Sequence, residues 1–474
     1  MLVWLLLMAC VEPVGHVPPG TDGVPVTWTA EELPVGPGLI HDTAEDMDVG
    51  PPPPLWTRVA LEDAPLPDYV DLVGGGLVVA DLDGDGLLDV FLPGPVESRV
   101  YRQVAPRVFE DVAATWMPGV DLTDASAGTA VDADGDGDLD LLVPRFMRSS
   151  VYLRNDGGVW VDATAESGLG TPDWPATGGA WGDWDGDGDL DLAMAYYYDR
   201  RLPGGVLGGT DLNQLFRNDG GVFVDVSEVL PSLARRCTTF TVGWHDLDDD
   251  GWSELLIIND FGQVFWTELL WNRQGTLVLD DGSSGMRIRM NGMGMGVGDL
   301  NGDLVEDFVF SSQAEVVTME SMGGTWFRTD GIRGMDADVP VLQQFFGWGT
   351  ELTDLDADGD EDAVIGYGHW TGGDSFDFQM DSVYRQQGDG TFVDVSASEG
   401  VEGPGITRGL ITADVDRDGC PDIVRRQLGT PLIIDFAGCT GAWLRVELVG
   451  PTPNTRGVGD RKSTRLNSSH LVIS

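Results

Sequence analysis

The chain has 474 residues, with 27 Lys or Arg against 79 Asp or Glu, for a formal net charge of −52. Such a polyanion repels nucleic acid and anionic membrane surfaces, so both are excluded as expected partners, and cations or cationic partners fit better. Hydrophobic residues make up 42%, enough for a packed core, which excludes disorder over the whole length. Four cysteines, Cys10, Cys237, Cys420 and Cys439, are too few for a disulfide scaffold. Cys420 and Cys439 could pair in an oxidising compartment, whereas Cys237 reads as a small core residue.

Residues 1–10, MLVWLLLMAC, form an apolar run too short to span a bilayer as a helix. The run resembles a bacterial lipoprotein signal: an aliphatic residue at −3, a small one at −1, then Cys10 as the residue to be lipidated. It lacks the usual Lys/Arg segment ahead of the apolar run. Export is the expectation either way, to the cell surface or outside the cell, with a lipid on Cys10 as the one membrane contact. Residues 11–54 are rich in Pro, Gly and acid without a sustained period and read as a flexible tether.

From residue 81 onward one pattern, D-x-[DN]-x-D-G-x-x-[DE], occurs six times, with a seventh, damaged copy at 299–307, and the first positions are 51, 51, 63, 53, 55 and 60 residues apart. Loop 1 carries Asp81, Asp83, Asp85 and Asp89; loop 2 Asp132, Asp134, Asp136 and Asp140; loop 3 Asp183, Asp185, Asp187 and Asp191; loop 4 Asp246, Asp248, Asp250 and Glu254. Loop 5 carries Asp299, Asn301, Asp303 and Asp307; loop 6 Asp354, Asp356, Asp358 and Asp362; loop 7 Asp414, Asp416, Asp418 and Asp422. Calcium is a hard cation that takes six to eight oxygens, and carboxylates at positions 1, 3 and 5 converge when the chain curls round it. Position 7 can lend a backbone carbonyl, position 9 returns an acid, and Gly at position 6 permits the sharp turn. Without a divalent ion these carboxylates repel one another, so the predicted cofactor is Ca2+ at about six sites, with the listed side chains as ligands. Loop 5 has Leu304 in place of Gly, where a left-handed backbone meets a β-carbon clash, and is expected to be weak or empty.

An EF-hand is excluded, because position 12 is Leu92, Val143, Met194, Ile257, Phe310, Ile365 or Arg425, never a bidentate Glu. The flanking runs, such as GLVVAD before loop 1 and DVFLP after it, read as strands, so each loop joins two strands. A second echo follows each unit, as in VYLRNDGGVWVDATAESGL (151–169) and LFRNDGGVFVDVSEVL (215–230), and reads as a hairpin. Four strands in about 55 residues make one propeller blade, so the predicted fold is all-β, a seven-bladed β-propeller over residues 55–437. The seventh unit lacks a fourth strand. Residues 55–60, LWTRVA, resemble the missing one and are expected to complete the last blade and remove an open edge.

The Asp-rich loops between strands, with the RNDGG and FVDVS echoes, resemble FG-GAP/VCBS-type repeats, as in integrin α heads. Residues 442–459, AWLRVELVGPTPNTRGVG, resemble the start of an ASPIC/UnbV domain, the module that follows such repeats in the cartilage acidic protein family; the segment is assigned to 438–459. The resemblance implies an extracellular calcium-binding propeller used in adhesion or matrix contacts without established catalysis. Residues 460–474 turn abruptly basic and resemble the translation of a sequencing adapter, so no role is drawn from His470.

The functional reading is therefore a calcium-binding, cell-surface or secreted binding module, not an enzyme, whose partner is an extracellular protein or glycan. The alternative is a lectin or carbohydrate-active enzyme on the same scaffold. Outside the two ends only His245 and His369 remain as candidate bases, and no G-x-S-x-G, H-E-x-x-H or P-loop pattern is present. Sixteen Trp and the run YYYDRR (196–201) could stack on sugars. Against this, Trp181, Trp184, Trp244 and Trp348 fall at repeat positions beside the loops and read as blade core.

Overall fold

The computed structural model describes residues 57–61, 76–197, 212–235, 238–335, 345–369, 379–401, 404–428, 432–438, 452–456 and 458. The signal-like run with Cys10, the tether, residues 55 and 56, Cys237, Cys439, most of 438–459 and the basic end lie outside the described residues.

Strand β1 (Thr57–Leu61) precedes six consecutive four-stranded antiparallel sheets. Blade 1 is β2 (Val78–Ala80), β3 (Asp89–Leu92), β4 (Arg99–Ala105) and β5 (Val108–Asp111). Blade 2 is β6 (Thr129–Val131), β7 (Asp140–Val143), β8 (Val151–Asn155) and β9 (Trp160–Asp162). Blade 3 is β10 (Ala176–Gly182), β11 (Asp191–Tyr196), β12 (Gln214–Asn218) and β13 (Phe223–Asp225). Blade 4 is β14 (Thr239–His245), β15 (Glu254–Asn259), β16 (Glu268–Asn272) and β17 (Leu277–Leu279). Blade 5 is β18 (Gly292–Gly298), β19 (Asp307–Ser312), β20 (Val316–Ser321) and β21 (Trp326–Arg328). Blade 6 is β22 (Gly347–Thr353), β23 (Asp362–Tyr367), β25 (Ser382–Gln386) and β26 (Phe392–Asp394), while β24 (Gln379–Met380) pairs with β27 (Pro404–Gly405) in a short ribbon. Blade 7 is β28 (Thr407–Ala413), β29 (Asp422–Gln427) and β30 (Leu432–Phe436), and β1 supplies its fourth strand. No helix among the described residues is long and apolar enough to cross a membrane.

The second strand of each blade is buried along its whole length. Successive side chains of a strand point to opposite faces, so one strand feeds two gaps. In β11, Leu192 and Met194 pack into the gap with blade 2, and Ala193 and Ala195 into the gap with blade 4. Seven hydrophobic clusters fill the seven gaps, and the one between blades 7 and 1 joins Val424 and Ile434 to Val90 and Leu92. Trp181 and Trp184 are buried in this core, Trp348 is buried in a separate small cluster with Met293 and Phe346, and Trp244 is half-buried. The innermost strands approach closely: a β-carbon on Gly294 would lie 1.8 Å from the Trp348 carbonyl oxygen.

The outer hairpin echo has its own local logic. After the fourth strand, Asp111, Asp162, Asp225 and Asp394 each accept a backbone N–H two residues on, from Ala113, Thr164, Ser227 and Ser396. The short carboxylate thus turns the chain into a single helical turn that leads to the next blade.

Polar contacts close the ring as well as apolar ones. β1 runs antiparallel to β30 with Thr57 opposite Phe436 and Leu61 opposite Leu432. Arg58 Nε donates to Asp435 Oδ1 at 2.6 Å, and Arg425 Nε donates to Asp435 Oδ2 at 2.9 Å. Arg425 Nη1 reaches Asp381 Oδ2 at 2.7 Å, which also accepts the Thr407 hydroxyl at 2.9 Å. The next residue, Arg426, turns the other way and donates to the carbonyls of Pro93 at 2.6 Å and Gly76 at 3.1 Å in blade 1. Arg425, Asp381 and Asp435 are each at most 1% exposed. Burial pushes the Asp381 carboxyl up, and the Arg425 guanidinium opposes that push. Removing one partner of such a buried network leaves an uncompensated charge, so Arg425→Met should cost about 3–5 kcal/mol in urea unfolding. A loss under about 1 kcal/mol would contradict a closing role for the network.

Candidate metal centres

All seven repeats fold into the same loop. The position 6 residue donates its N–H to a carboxylate oxygen of position 1: Gly86 to Asp81, Gly137 to Asp132, Gly188 to Asp183, Gly251 to Asp246, Leu304 to Asp299, Gly359 to Asp354 and Gly419 to Asp414. The position 5 carboxylate accepts the N–H of position 7 in every loop, at 2.9–3.0 Å in each case, as in Asp85 with Leu87 (2.9 Å). Position 6 is left-handed throughout, and Leu304 adopts φ 68° in loop 5. Loop 5 therefore keeps the backbone shape despite its β-carbon, and its Asn301 side chain donates to the Ser321 carbonyl at 3.1 Å.

The position 9 acid is buried and ties the loop to the third strand. One oxygen accepts the N–H of position 2 and the other accepts an N–H from the end of the third strand or just beyond it. Asp89 takes Leu82 at 3.0 Å and Gln103 at 2.8 Å; Asp191 takes Trp184 and Asn218, both at 2.8 Å; Asp422 takes Val415 at 2.9 Å and Ala437 at 2.8 Å. Asp140, Glu254, Asp307 and Asp362 repeat the arrangement. A carboxylate oxygen has two acceptor sites, so these bonds leave room for a further ligand at Asp89, Asp191, Glu254 and Asp307, whereas Asp140 Oδ2 also takes the Tyr152 hydroxyl at 2.7 Å and Asp362 Oδ2 the Arg385 guanidinium at 2.6 Å.

The residue set suits a hard divalent cation. One oxygen from each of three acids lies within 4.8 Å of the others in several loops, as at Asp81, Asp83, Asp85; Asp132, Asp134, Asp136; Asp183, Asp185, Asp191; Asp246, Asp248, Asp250; and Asp354, Asp356, Asp362. Asp81 Oδ1 and Asp185 Oδ1 are buried without a hydrogen-bond partner, a costly arrangement unless something electropositive faces them. Burial, and then the neighbouring carboxylates, hold Asp81, Asp134, Asp183 and Asp185 above the usual carboxylate range.

Arginines meet some loops and not others. Arg102 binds Asp83 and Asp85 in loop 1, Arg273 binds Asp248 and Asp250 in loop 4, Arg385 binds Asp362 and, at 3.9 Å, Asp356 in loop 6, and Arg107 binds Asp416 in loop 7. The equivalent third-strand arginines of blades 2 and 3 turn outward, Arg154 to Asp156 and Glu166 and Arg217 to Asp219. Among the described residues no arginine pairs with Asp134, Asp136, Asp185 or Asp187.

A second set of residues links the loops round the ring and escaped the sequence reading. The amide side chain at the end of a third strand donates to the position 2 carbonyl of the preceding blade's loop. Gln103 reaches Val415 at 3.0 Å, Asn155 reaches Leu82 at 3.4 Å, Asn218 reaches Ala133 at 2.8 Å, Asn272 reaches Trp184 at 2.8 Å and Gln386 reaches Leu300 at 3.1 Å. The recurring Asn or Gln of the echoes RN, WN and RQ was the signal for it. Position 4 was also missed: it is left-handed in all seven loops, as Gly84, Gly135, Gly186, Asp249, Gly302, Ala357 and Arg417.

Neither histidine stands alone. His245 closes β14, its Nδ1 shares a hydrogen bond with Glu306 Oε2 at 2.8 Å, and its ring meets Phe308 edge-on. His369 lies edge-on to Phe346.

Burial, with neighbouring acids adding to it, pushes the position 9 carboxyls up, Asp89, Asp140, Asp191, Asp307 and Asp362 to about 7 and Glu254 and Asp422 to about 8. A group whose folded pKa is raised binds its proton more tightly in the folded state. Its stabilising contribution is present at low pH and is lost as pH rises through the folded value. In EDTA the melting temperature should therefore fall from pH 5 to pH 8. Calcium should flatten that fall, because deprotonation favours ligand binding. A melting temperature that rises with pH in EDTA over this window would contradict the assignment.

A profile described as an FG-GAP-like repeat matches residues 81–143 and 346–424, which contain loops 1, 2, 6 and 7. No curated protein matches the chain. Among solved structures, BBS1N in complex with ARL6DN, soaked with lead, aligns with TM-score 0.49 and 9% identity over 82% of this chain and 99% of that one. The mercury-soaked form gives 0.48 and 9% over 81% and 97%. A lectin of Agrocybe aegerita, described as recognising non-reducing terminal N-acetylglucosamine, gives 0.43 and 17% over 74% and 88%. The chain is a seven-bladed β-propeller that carries FG-GAP-like repeats.

Proposed function

We propose that the protein is a calcium-stabilised binding module, displayed at the cell surface or secreted, whose partner is an extracellular protein or glycan. The observation that carries the reading is the sevenfold loop with its converging carboxylates. A propeller is a scaffold, so the partner is set by surface loops and not by the fold. Residues 438–459 are read as the start of an ASPIC/UnbV-like domain, as in the cartilage acidic protein family, and Cys10 as the lipid-bearing residue of a lipoprotein signal. Cys420 is disulfide-bonded, which suits an oxidising compartment. Catalysis forms no part of the proposal.

The position 1, 3 and 5 acids, with the position 7 carbonyl and the position 9 acid, would hold each ion. The bound ion supplies positive charge where acids crowd, so its role is structural. A site of the extracellular kind binds at roughly 0.1–1 mM. At millimolar calcium each site then adds about 0.4–1.4 kcal/mol by mass action. Six such sites together rival the stability of a whole domain. Loop 5 stays the weakest expected site, because Asn301 replaces a charged ligand and Leu304 replaces Gly.

Asp134→Ala should lower the calcium-loaded melting temperature by about 1–3 °C and leave the value in EDTA unchanged or slightly higher. The slight gain is expected because Asp134 is held among like charges. An equal drop in both conditions would overturn the structural role of the ion.

A further inference from the structure

Beyond the propeller, residues 452–456 and 458 return to the loop-bearing face, onto loops 2 and 3. The Thr455 hydroxyl donates to Asp132 Oδ2, the same oxygen that accepts the Gly137 N–H at 3.0 Å. Arg456 Nη2 donates to the Gly137 carbonyl at 3.4 Å. Pro453 covers the glycines of both loops: a β-carbon on Gly135 would lie 3.1 Å from its Cα, and one on Gly188 would lie 3.6 Å from its Cδ. Val458 packs on the hydrophobic cluster between blades 2 and 3. The segment braces itself, since Asn454 Nδ2 donates to the Val458 carbonyl at 2.8 Å and the Val458 N–H donates to Asn454 Oδ1 at 2.9 Å.

These contacts fall on two of the loops whose acids pair with no arginine among the described residues. Asp134, Asp136, Asp185 and Asp187 pair with none among the described residues, and in loop 3 Asp185 Oδ1 is buried without a hydrogen-bond partner. Here the cation would be the chief compensation for the carboxylates. In loop 2 it would also decide where Asp132 points. Thr455 and Arg456 need the loop in its curled form, because one bonds the position 1 carboxylate and the other the position 6 carbonyl. A side chain at Gly135 would also crowd Pro453, so this glycine fits the segment as well as the turn.

We propose that this segment completes the loop 2 centre, and that cation binding in loop 2 and seating of 452–458 on loops 2 and 3 strengthen each other. The proposal rests on the calcium reading of the loops. Thr455 is a positioning residue: it orients Asp132 from outside the ion's own shell. With the ion present the carboxylates draw together and the acceptors for Thr455 and Arg456 are fixed. Without it, repulsion spreads the loop and the segment loses its seat. By reciprocity the seated segment raises the loop's affinity by the same factor that the ion raises seating. The surface between blades 2 and 3 thereby joins whatever follows residue 451 to the propeller in a calcium-dependent way.

The test uses the full chain and calcium alone as the probe. Amide exchange of the peptides covering 450–460 is followed in calcium and in EDTA, beside calorimetry of calcium binding. Protection of this segment should fall about fivefold or more when calcium is removed. Asp134→Ala should expose the segment in the presence of calcium while the blade cores stay protected, and Asp356→Ala, in the distant loop 6, should not. Thr455→Val should weaken one class of calcium site and loosen the segment, and Thr455→Ser should restore both. Absence of any calcium heat would overturn the loops as cation sites. Normal calcium binding with the same exchange of 450–460 in calcium, in EDTA and in Asp134→Ala would overturn the coupling alone.

Discussion

In each blade one buried acid holds two backbone amides that belong to different parts of the chain. The position 9 carboxylate joins the start of its loop to the end of the third strand, so loop, second strand and third strand move as one body. A charge in that setting is expensive, which is why these carboxyls resist ionisation until about pH 7 or 8. The rest of the loop follows from that cost. Positions 1, 3 and 5 bring more negative charge to the same place, and only an electropositive partner relieves it. Guanidinium groups do so in part at loops 1, 4, 6 and 7, and a divalent cation would do so more fully.

The ring is held by three kinds of contact that act at different radii. Glycine-rich inner strands allow the blades to meet near the axis, as at Gly294 against Trp348. Apolar residues of the second strands fill the gaps. Toward the loop-bearing face, amide side chains such as Asn218 and Asn272 tie the backbones of loops 1, 2, 3, 5 and 7 to the next blade. Blade 7 joins the two chain-distant strands β1 and β30 in one sheet, and Arg425 and Arg426, with Arg58 on the returning strand, add buried polar bonds within that blade and to its neighbours.

Much of this was legible because repetition averages out local ambiguity. A single DADGDGDLD could be a solvated turn; seven in register, each between apolar runs, specify a strand–loop–strand unit and, by count, the number of blades. The missing fourth strand of the last unit likewise pointed to LWTRVA at residues 55–60, and the strand that pairs there is Thr57–Leu61. What was not legible depends on partners distant in sequence. Nothing local marks Gln103 as the partner of Val415, 312 residues away, or Arg425 as the hub between Asp381 and Asp435. Position 4 was overlooked because Asp249, Ala357 and Arg417 disguise a left-handed requirement that Gly makes plain in the other loops. The seating of Thr455 on Asp132, 323 residues apart, had no sequence signal at all.

The central claim is that cations sit among the loop carboxylates and hold the ring together. It is tested most directly by titrating the full chain with calcium while following the heat of binding and the melting temperature. Saturation at about six sites, with a melting temperature that climbs as the sites fill, is the expected result. No heat and no shift at millimolar calcium would mean that the loops are acidic turns stabilised by their own hydrogen bonds, and the calcium and adhesion readings would both fall.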